Sequence, residues 1–231
     1  WLQNVLGYSA FDAGLLLLSL AIGSFVASGI GAPLGNTRGP VTVVRLGILL
    51  EFFGLLLCGF VVRSDTQWWA IAVPLFIYGM GVGLATAQLT GVALTHIPVE
   101  ESGQASGITS TTRQLGSALG IAILGTVLFS SLGSGLDSRL ADSGLPVAAR
   151  TGITNAVVES AGAAIPGFAA QPGAEAVETA AKDAFSESTR YAGFIGAFFL
   201  FLGWLATLRL DPSTPHREAS PSTSDVSATN H

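Results

Sequence analysis

IPVEESGQASGITSTTRQLGSALGIAILGTVLF, residues 97–129, opens with two carboxylates, grows steadily more apolar, and still carries Arg113 and Gln114. At 100° per residue along a helix, Gly103, Gly107, Ser110, Gln114, Ser117 and Gly125 fall within about 80° of one another. Leu115, Leu119, Ala122 and Ile123 occupy the far side. One side is small and polar and the other greasy. In lipid, small faces let helix backbones approach closely and polar groups bond across the gap. The stretch therefore predicts a membrane-crossing helix over about 104–130. It also raises the question of what the guanidinium does there.

Composition agrees with a membrane setting. Of 231 residues, 49% are hydrophobic and 11% charged, where soluble domains carry roughly 25% charged residues. A span needs about 20 mainly apolar residues to cross ~30 Å of hydrocarbon. Besides 104–130, stretches at about 13–32, 41–62, 68–95 and 191–209 qualify. The expected fold is thus an all-α membrane protein of five transmembrane helices. Residues 1–12 read as an external loop or the end of a preceding helix, with Asp12 as candidate N-cap of the first span. The third span holds Pro74, which predicts a kink or tilt. Residues 131–190 read as a polar insert with short surface helices, punctuated at Pro166-Gly167 and Pro172-Gly173. Inside it Val177, Ala181, Ala184 and Ser188 recur at helical spacing, with Glu178 four before Lys182. Residues 210–231, rich in Ser, Thr and Pro, read as a disordered cytoplasmic tail. The chain begins at Trp1 and reads as a fragment of something longer.

Several function classes find no support. A net charge of −5 without a basic stripe gives nucleic acid no purchase. His96, His216 and His231 are scattered, and the single Cys58 cannot form an internal disulfide, so no metal or cofactor set is expected. Gly29-x-Gly31-x-x-x-Gly35, with Glu51 some twenty residues on, imitates a dinucleotide fingerprint, but it closes a membrane span and lacks the strand that motif requires. With no nucleophile elbow, zincin or Walker sequence, the chain is expected not to be an enzyme.

Arg38 and Arg45 follow span one, and Arg209 and Arg217 follow span five. The positive-inside bias places those ends and the His96 loop in the cytoplasm, and residues 131–190 outside, in a cell membrane.

Two charges sit at depth. Arg113 lies ~14 Å into its span, near the limit of snorkelling, so it either reaches the headgroups or pairs inside the bundle. Glu51 lies ~15 Å into the second span on a face shared with Gly47, Gly54 and Cys58. It could pair with Arg113, take up and release a proton, or simply pack. On span three, Gly79, Gly83, Thr86 and Thr90 form one small face, and Gly81, Gln88 and Thr95 another. One could pack while the other lines a cavity, or both could pack.

LQNVLGYSAFDAGLLLL at the start and the stretch quoted above resemble the fourteen-helix multidrug/proton antiporter branch of the major facilitator superfamily. The residues that carry the resemblance are Gly103, Gly107, Arg113-Gln114-Leu115-Gly116, Gly120 and Gly125, after Pro98-x-Glu100. It covers almost the whole chain, as the last five helices of such a carrier. What it implies is efflux of drug-like or other amphipathic molecules against proton entry, by two rocking halves of which the N-terminal one is missing here. Spans one, three and four would line the cavity, with Gln88, Thr86, Thr90, Arg113, Gln114 and Ser117 as cavity or gate residues. Spans two and five would pack outside, which sets Glu51, the candidate proton-linked group, on a peripheral helix. Gly79, Gly83, Gly103, Gly107, Gly116, Gly120 and Gly125 would serve helix packing. The implied partners are the lipid bilayer, a small-molecule substrate, protons and the absent half. In GNTRGPVTVVR, Asn36 and Thr37 replace the acidic residue and arginine of the family's gating loop. A non-transporting scaffold or inert truncated half is the alternative.

Overall fold

The structure, a computed structural model, describes residues 1–94, 98, 101–169 and 173–210. The His96 loop with Glu100, Pro172 and the tail from 211 lie outside the described residues, as do the side chains of Thr90 and Thr95. The elements are helices α1 (Ala10–Arg38), α2 (Pro40–Val61), α3 (Trp68–Leu94), α4 (Ser102–Leu140), α5 (Val147–Glu159), α6 (Ile165–Ala169) and α7 (Glu175–Thr207), with a 3-10 turn at Ala141–Ser143. Among the described residues, five helices (α1, α2, α3, α4 and α7) are long and apolar enough to cross a bilayer.

Local chemistry sets the ends. The N-cap of α1 is Ser9 rather than Asp12: Asp12 N donates to Ser9 Oγ at 3.1 Å, and its carboxylate accepts from Ser9 N, a reciprocal capping box. Asp12 therefore sits at the third helical position, where a carboxylate also meets the positive end of the helix dipole. At the other end, α1 runs to Arg38, and only Gly39 separates it from α2. Gly39 has φ +85°, which favours glycine, and Pro40 opens α2 with no N–H to satisfy. Arg45 is thus inside a helix, not in a loop.

α3 is the centre of the bundle and is gripped on both sides. Toward α1, a Cβ on Gly79 would overlap the Leu20 carbonyl oxygen, one on Gly83 the Ser24 carbonyl, and one on Gly23 the Phe76 carbonyl. Gly23, Ala27, Gly31 and Gly35, four residues apart and all buried, supply the facing stripe on α1. The apparent dinucleotide glycines at 31 and 35 belong to this stripe. Toward α2, a Cβ on Gly81 would strike the Gly47 carbonyl and Glu51, while Gly54 lies against Tyr78. The glycines of both small faces of α3 are packing positions.

α7 runs antiparallel to α2 and is tied to it at both ends. Arg45 donates from Nε and Nη2 to Thr207 O at 3.1 and 2.8 Å, and from Nη2 to Leu210 O at 2.7 Å. Those carbonyls lie at and just beyond the end of α7, where the regular i to i−4 donors run out; Thr207 O also accepts from Leu210 N at 3.0 Å. At the other end Arg190 Nε donates to Gly59 O, in the last turn of α2, at 3.1 Å. The two ties lie 14 residues apart on α2, ~21 Å. They hold the pair near each end of α2 and enclose about two thirds of the ~30 Å that a hydrocarbon core spans.

α4 has 39 residues and α7 has 33, ~58 and ~50 Å. Both are too long for the bilayer, so each continues as one unbroken helix into the region 131–190. There they join α5, α6 and the N-terminal turn around a separate core of Leu132, Leu136, Leu140, Val157, Ile165, Ala181 and Phe185. Val5 inserts into it, Trp1 Nε1 donates to Ser186 Oγ at 2.9 Å, and Ser64 Oγ to Asp183 Oδ1 at 2.6 Å. The insert is a packed cap. The 177–188 periodicity falls on α7, with Lys182 Nζ 2.6 Å from Glu178 Oε1, and Pro166-Gly167 lies inside α6.

Replacing Gly83 by leucine should cost about 3 kcal/mol of bundle stability, read as thermal unfolding in detergent, whereas Gly107→Leu should leave it within experimental error. An equal loss at both would show that the α1–α3 approach is not what limits stability. Arg190→Ala should cost about 1–2 kcal/mol by leaving the Gly59 carbonyl without its charged donor, measured in the same assay.

Candidate functional site

The membrane helices neighbour one another in the order α1, α3, α2, α7, α4. α4 packs on α7 and, in the cap, on α5, but it barely touches α3. Between α4 and α7 on one side and α2 with Tyr78 of α3 on the other lies a groove of about 720 Å³. Gly116, Ser117, Gly120 and Leu124 line it from α4, facing Ile48, Leu55, Gly196, Phe199 and Gly203. The small residues on α4 and α7 leave the space between the walls unfilled. The hydroxyls of Tyr78 and Ser117 are set in an otherwise apolar lining. Such a lining suits an amphipathic molecule with few hydrogen-bonding groups.

A second recess of about 500 Å³ opens at the cap side between α1 and α3, lined by Tyr8, Asp12, Leu16, Ser19, Ile22 and Trp68. Asp12 is here a wall of the recess as well as part of the helix cap. Tyr8 and Tyr78 are polar groups on apolar walls that sequence reasoning passed over. The available signal was a phenol placed at a span end or within an apolar run. Among the described residues, no group of His, Cys, Asp and Glu could hold a metal ion.

The residues singled out from sequence fall into separate places. Ser117 faces the 720 Å³ groove. Gln88 turns to α1: its Nε2 donates to Gly31 O at 2.9 Å, and its amide lies where a side chain on Gly35 would be. Thr86 is exposed, and Thr90 falls within α3. Arg113 and Gln114 are exposed on α4, and Arg113 makes no ion pair or hydrogen bond among the described residues. Glu51 sits at the α2–α3 seam, its Cγ against the backbone of Gly81. No bond joins Glu51 to Arg113.

The glycines divide in the same way. Gly79 and Gly83 are in backbone contact with α1, whereas Gly103, Gly107, Gly116, Gly120 and Gly125 have nothing within 4 Å of where a side chain would begin. Ile108, Leu115, Leu119 and Ile121 are exposed beside them. The face of α4 that reads from sequence as a close-packing surface is open.

The sequence profile of the Major Facilitator Superfamily matches residues 1–228. The chain is 34% identical over 140 residues to the multidrug resistance protein Stp of Mycobacterium tuberculosis, covering 61% of this chain and 26% of Stp. With the drug efflux pump JefA of the same organism it shares 31% identity over 159 residues, 69% of this chain and 31% of JefA. With the multidrug efflux pump LfrA of Mycolicibacterium smegmatis it shares 27% over 201 residues, 86% of this chain and 38% of LfrA. The chain thus spans between about a quarter and two fifths of the length of these relatives. Five bilayer-crossing helices, the two-sided glycine packing around α3 and the match along nearly the whole length place this chain in the major facilitator superfamily, as a multi-pass membrane protein.

Proposed function

We propose that the chain is the C-terminal five-helix part of a carrier that exports drug-like or other amphipathic small molecules against proton entry, by alternating access. The observation that carries this reading is the open small-and-polar face of α4, in a bundle where the facing glycines of α1, α2 and α3 (Gly23, Gly47, Gly79, Gly81 and Gly83) are closed by the neighbouring helix. A face built of Gly103, Gly107, Gln114 and Ser117 is suited to a second surface that approaches and withdraws. The N-terminal half of the same carrier supplies that surface, and substrate passes between the two. The efflux named for JefA and LfrA, and the multidrug resistance named for Stp, support the same reading.

Arg38, Arg45 and Arg209 gather at one end of the bundle, since Arg45 bonds the last turn of α7. That end is the cytoplasmic one, and the cap is extracytoplasmic. Arg113 then stands ~16 Å along α4 from Ser102, on a side that the second half would cover. Its charge is kept from hydrocarbon by that cover and acts on the gate or the cavity. Glu51, a carboxylate among apolar neighbours, is the candidate to carry the proton.

In the complete carrier, Arg113→Ala should abolish drug resistance while expression stays normal. Unchanged resistance would remove Arg113 from the transport cycle. Glu51→Gln should abolish substrate-induced proton release from loaded vesicles, and wild-type release would leave Glu51 a packing residue. The scaffold alternative predicts no export even when the upstream helices are restored, so resistance conferred by the complete carrier decides between the two.

A further inference from the structure

Where α4 and α7 leave the bilayer, a polar cavity of about 380 Å³ opens between them, lined by Ser131, Ser134, Ser138 and Arg139 of α4 and Glu187 and Tyr191 of α7. Its depth is fixed by Arg190, which lies between Glu187 and Tyr191 in sequence and bonds the last turn of α2. The cavity is therefore level with the lipid headgroups. Trp68, at the start of α3 just beyond the end of α2, is 62% exposed, as an interfacial tryptophan should be. Below the cavity, Phe198, Leu202 and Leu205 follow Tyr191 within about 60° on the same side of α7. All three are exposed, at 56%, 43% and 40%. An uncovered apolar strip thus runs from the cavity toward the opposite interface.

The polar groups have a definite arrangement. Arg139 Nη2 donates to Glu187 Oε2 at 2.5 Å and Nη1 to Gly135 O at 3.1 Å, so part of its five-donor guanidinium remains free. Tyr191 Oη donates to Glu187 Oε1 at 2.8 Å. The Arg139 hydrogen bond, with help from Tyr191, holds the Glu187 carboxyl below its ordinary range, so it is ionised at neutral pH. Ser131 and Ser134 give their hydroxyl protons to Val127 O and Ser130 O of their own helix, which leaves their oxygens as acceptors facing the cavity. The site therefore presents one cationic donor beside a cluster of acceptors.

We propose that this cavity binds the headgroup of a phosphatidylethanolamine lipid, with its acyl chains on the apolar strip of α7. The phosphodiester takes the free guanidinium N–H groups of Arg139, and the primary ammonium donates to Glu187 and the serine oxygens, leaving the ion pair in place. Choline has no N–H to give those acceptors, and glycerol brings no positive charge to Glu187. The site should thus select the ethanolamine headgroup over both. This inference rests on the reading that the outer side of α7 faces lipid, and not on export, substrate or proton coupling.

The test is native mass spectrometry of the full chain released from detergent micelles. Phosphatidylethanolamine, phosphatidylcholine or phosphatidylglycerol is supplied in turn, with inorganic phosphate and glycerophosphoethanolamine as soluble controls. Retention of phosphatidylethanolamine should exceed that of the other two lipids by about tenfold, the scale of one or two charge-assisted hydrogen bonds. Ser134→Leu, which fills the cavity without touching the ion pair, should erase that preference while circular dichroism stays unchanged. Glu187→Gln should reduce it as well. Equal retention of the three lipids, a preference that survives Ser134→Leu, or soluble phosphate retained as well as the lipid would each overturn the proposal. Loss of export on Arg113→Ala would leave this result untouched.

Discussion

Everything in the membrane part depends on how near α3 comes to its neighbours. Between helices in lipid there is no hydrophobic drive, because the alternative surroundings are as apolar as leucine. Association must come from dispersion between backbones close enough to touch. Gly79 and Gly83 permit that approach to α1, and Gly81 with Gly47 permits it to α2. Three helices are thereby fastened into one unit, and α7 is added to that unit by two arginine ties as well as by close approach at Gly59 and Gly196. Side chains at Gly79, Gly81 or Gly83 would have to share space with carbonyl oxygens of the neighbouring helix.

Most of this was legible in the sequence, for a plain reason. Uncharged runs of bilayer length have few alternatives, so the five crossings could be read from 13–32, 41–62, 68–95, 104–130 and 191–209. The continuations of α4 to Leu140 and of α7 back to Glu175 were not. Apolarity reports lipid contact, and it fades at the headgroups while the helix goes on, held there by a cap core of ordinary amphipathic pattern. The 177–188 periodicity was visible, but nothing local joined it to the apolar run that follows. The roles of Arg45 and Arg190 also lay out of reach, because their acceptors are carbonyls 162 and 131 residues away. No side-chain pattern announces those partners.

The candidate site was read less well than the fold. A small face on a helix states that something can come close, without saying whether it stays. On α3 the glycines of both such faces are covered by a neighbouring helix, and Gln88 spends its amide on α1. On α4 the corresponding face is bare. Sequence alone gives the same glycine spacing in both cases. The distinction is tertiary, and it shifts attention from α3 to α4 and the groove behind it.

The paired guanidinium ties on α2 and α7 limit how this bundle can deform. Sliding one helix along the other would break contacts at both ends together, since Arg45 and Arg190 hold opposite ends of an antiparallel pair. A piston-like shift of register is thereby disfavoured, and tilting of the pair as a single plank is not. With α3 locked to α2, any large rearrangement must carry α1, α2, α3 and α7 along as one body. α4 joins that body through α7 and the cap core, where Leu132, Leu136 and Leu140 pack with Ala181 and Phe185, and hardly at all through α3.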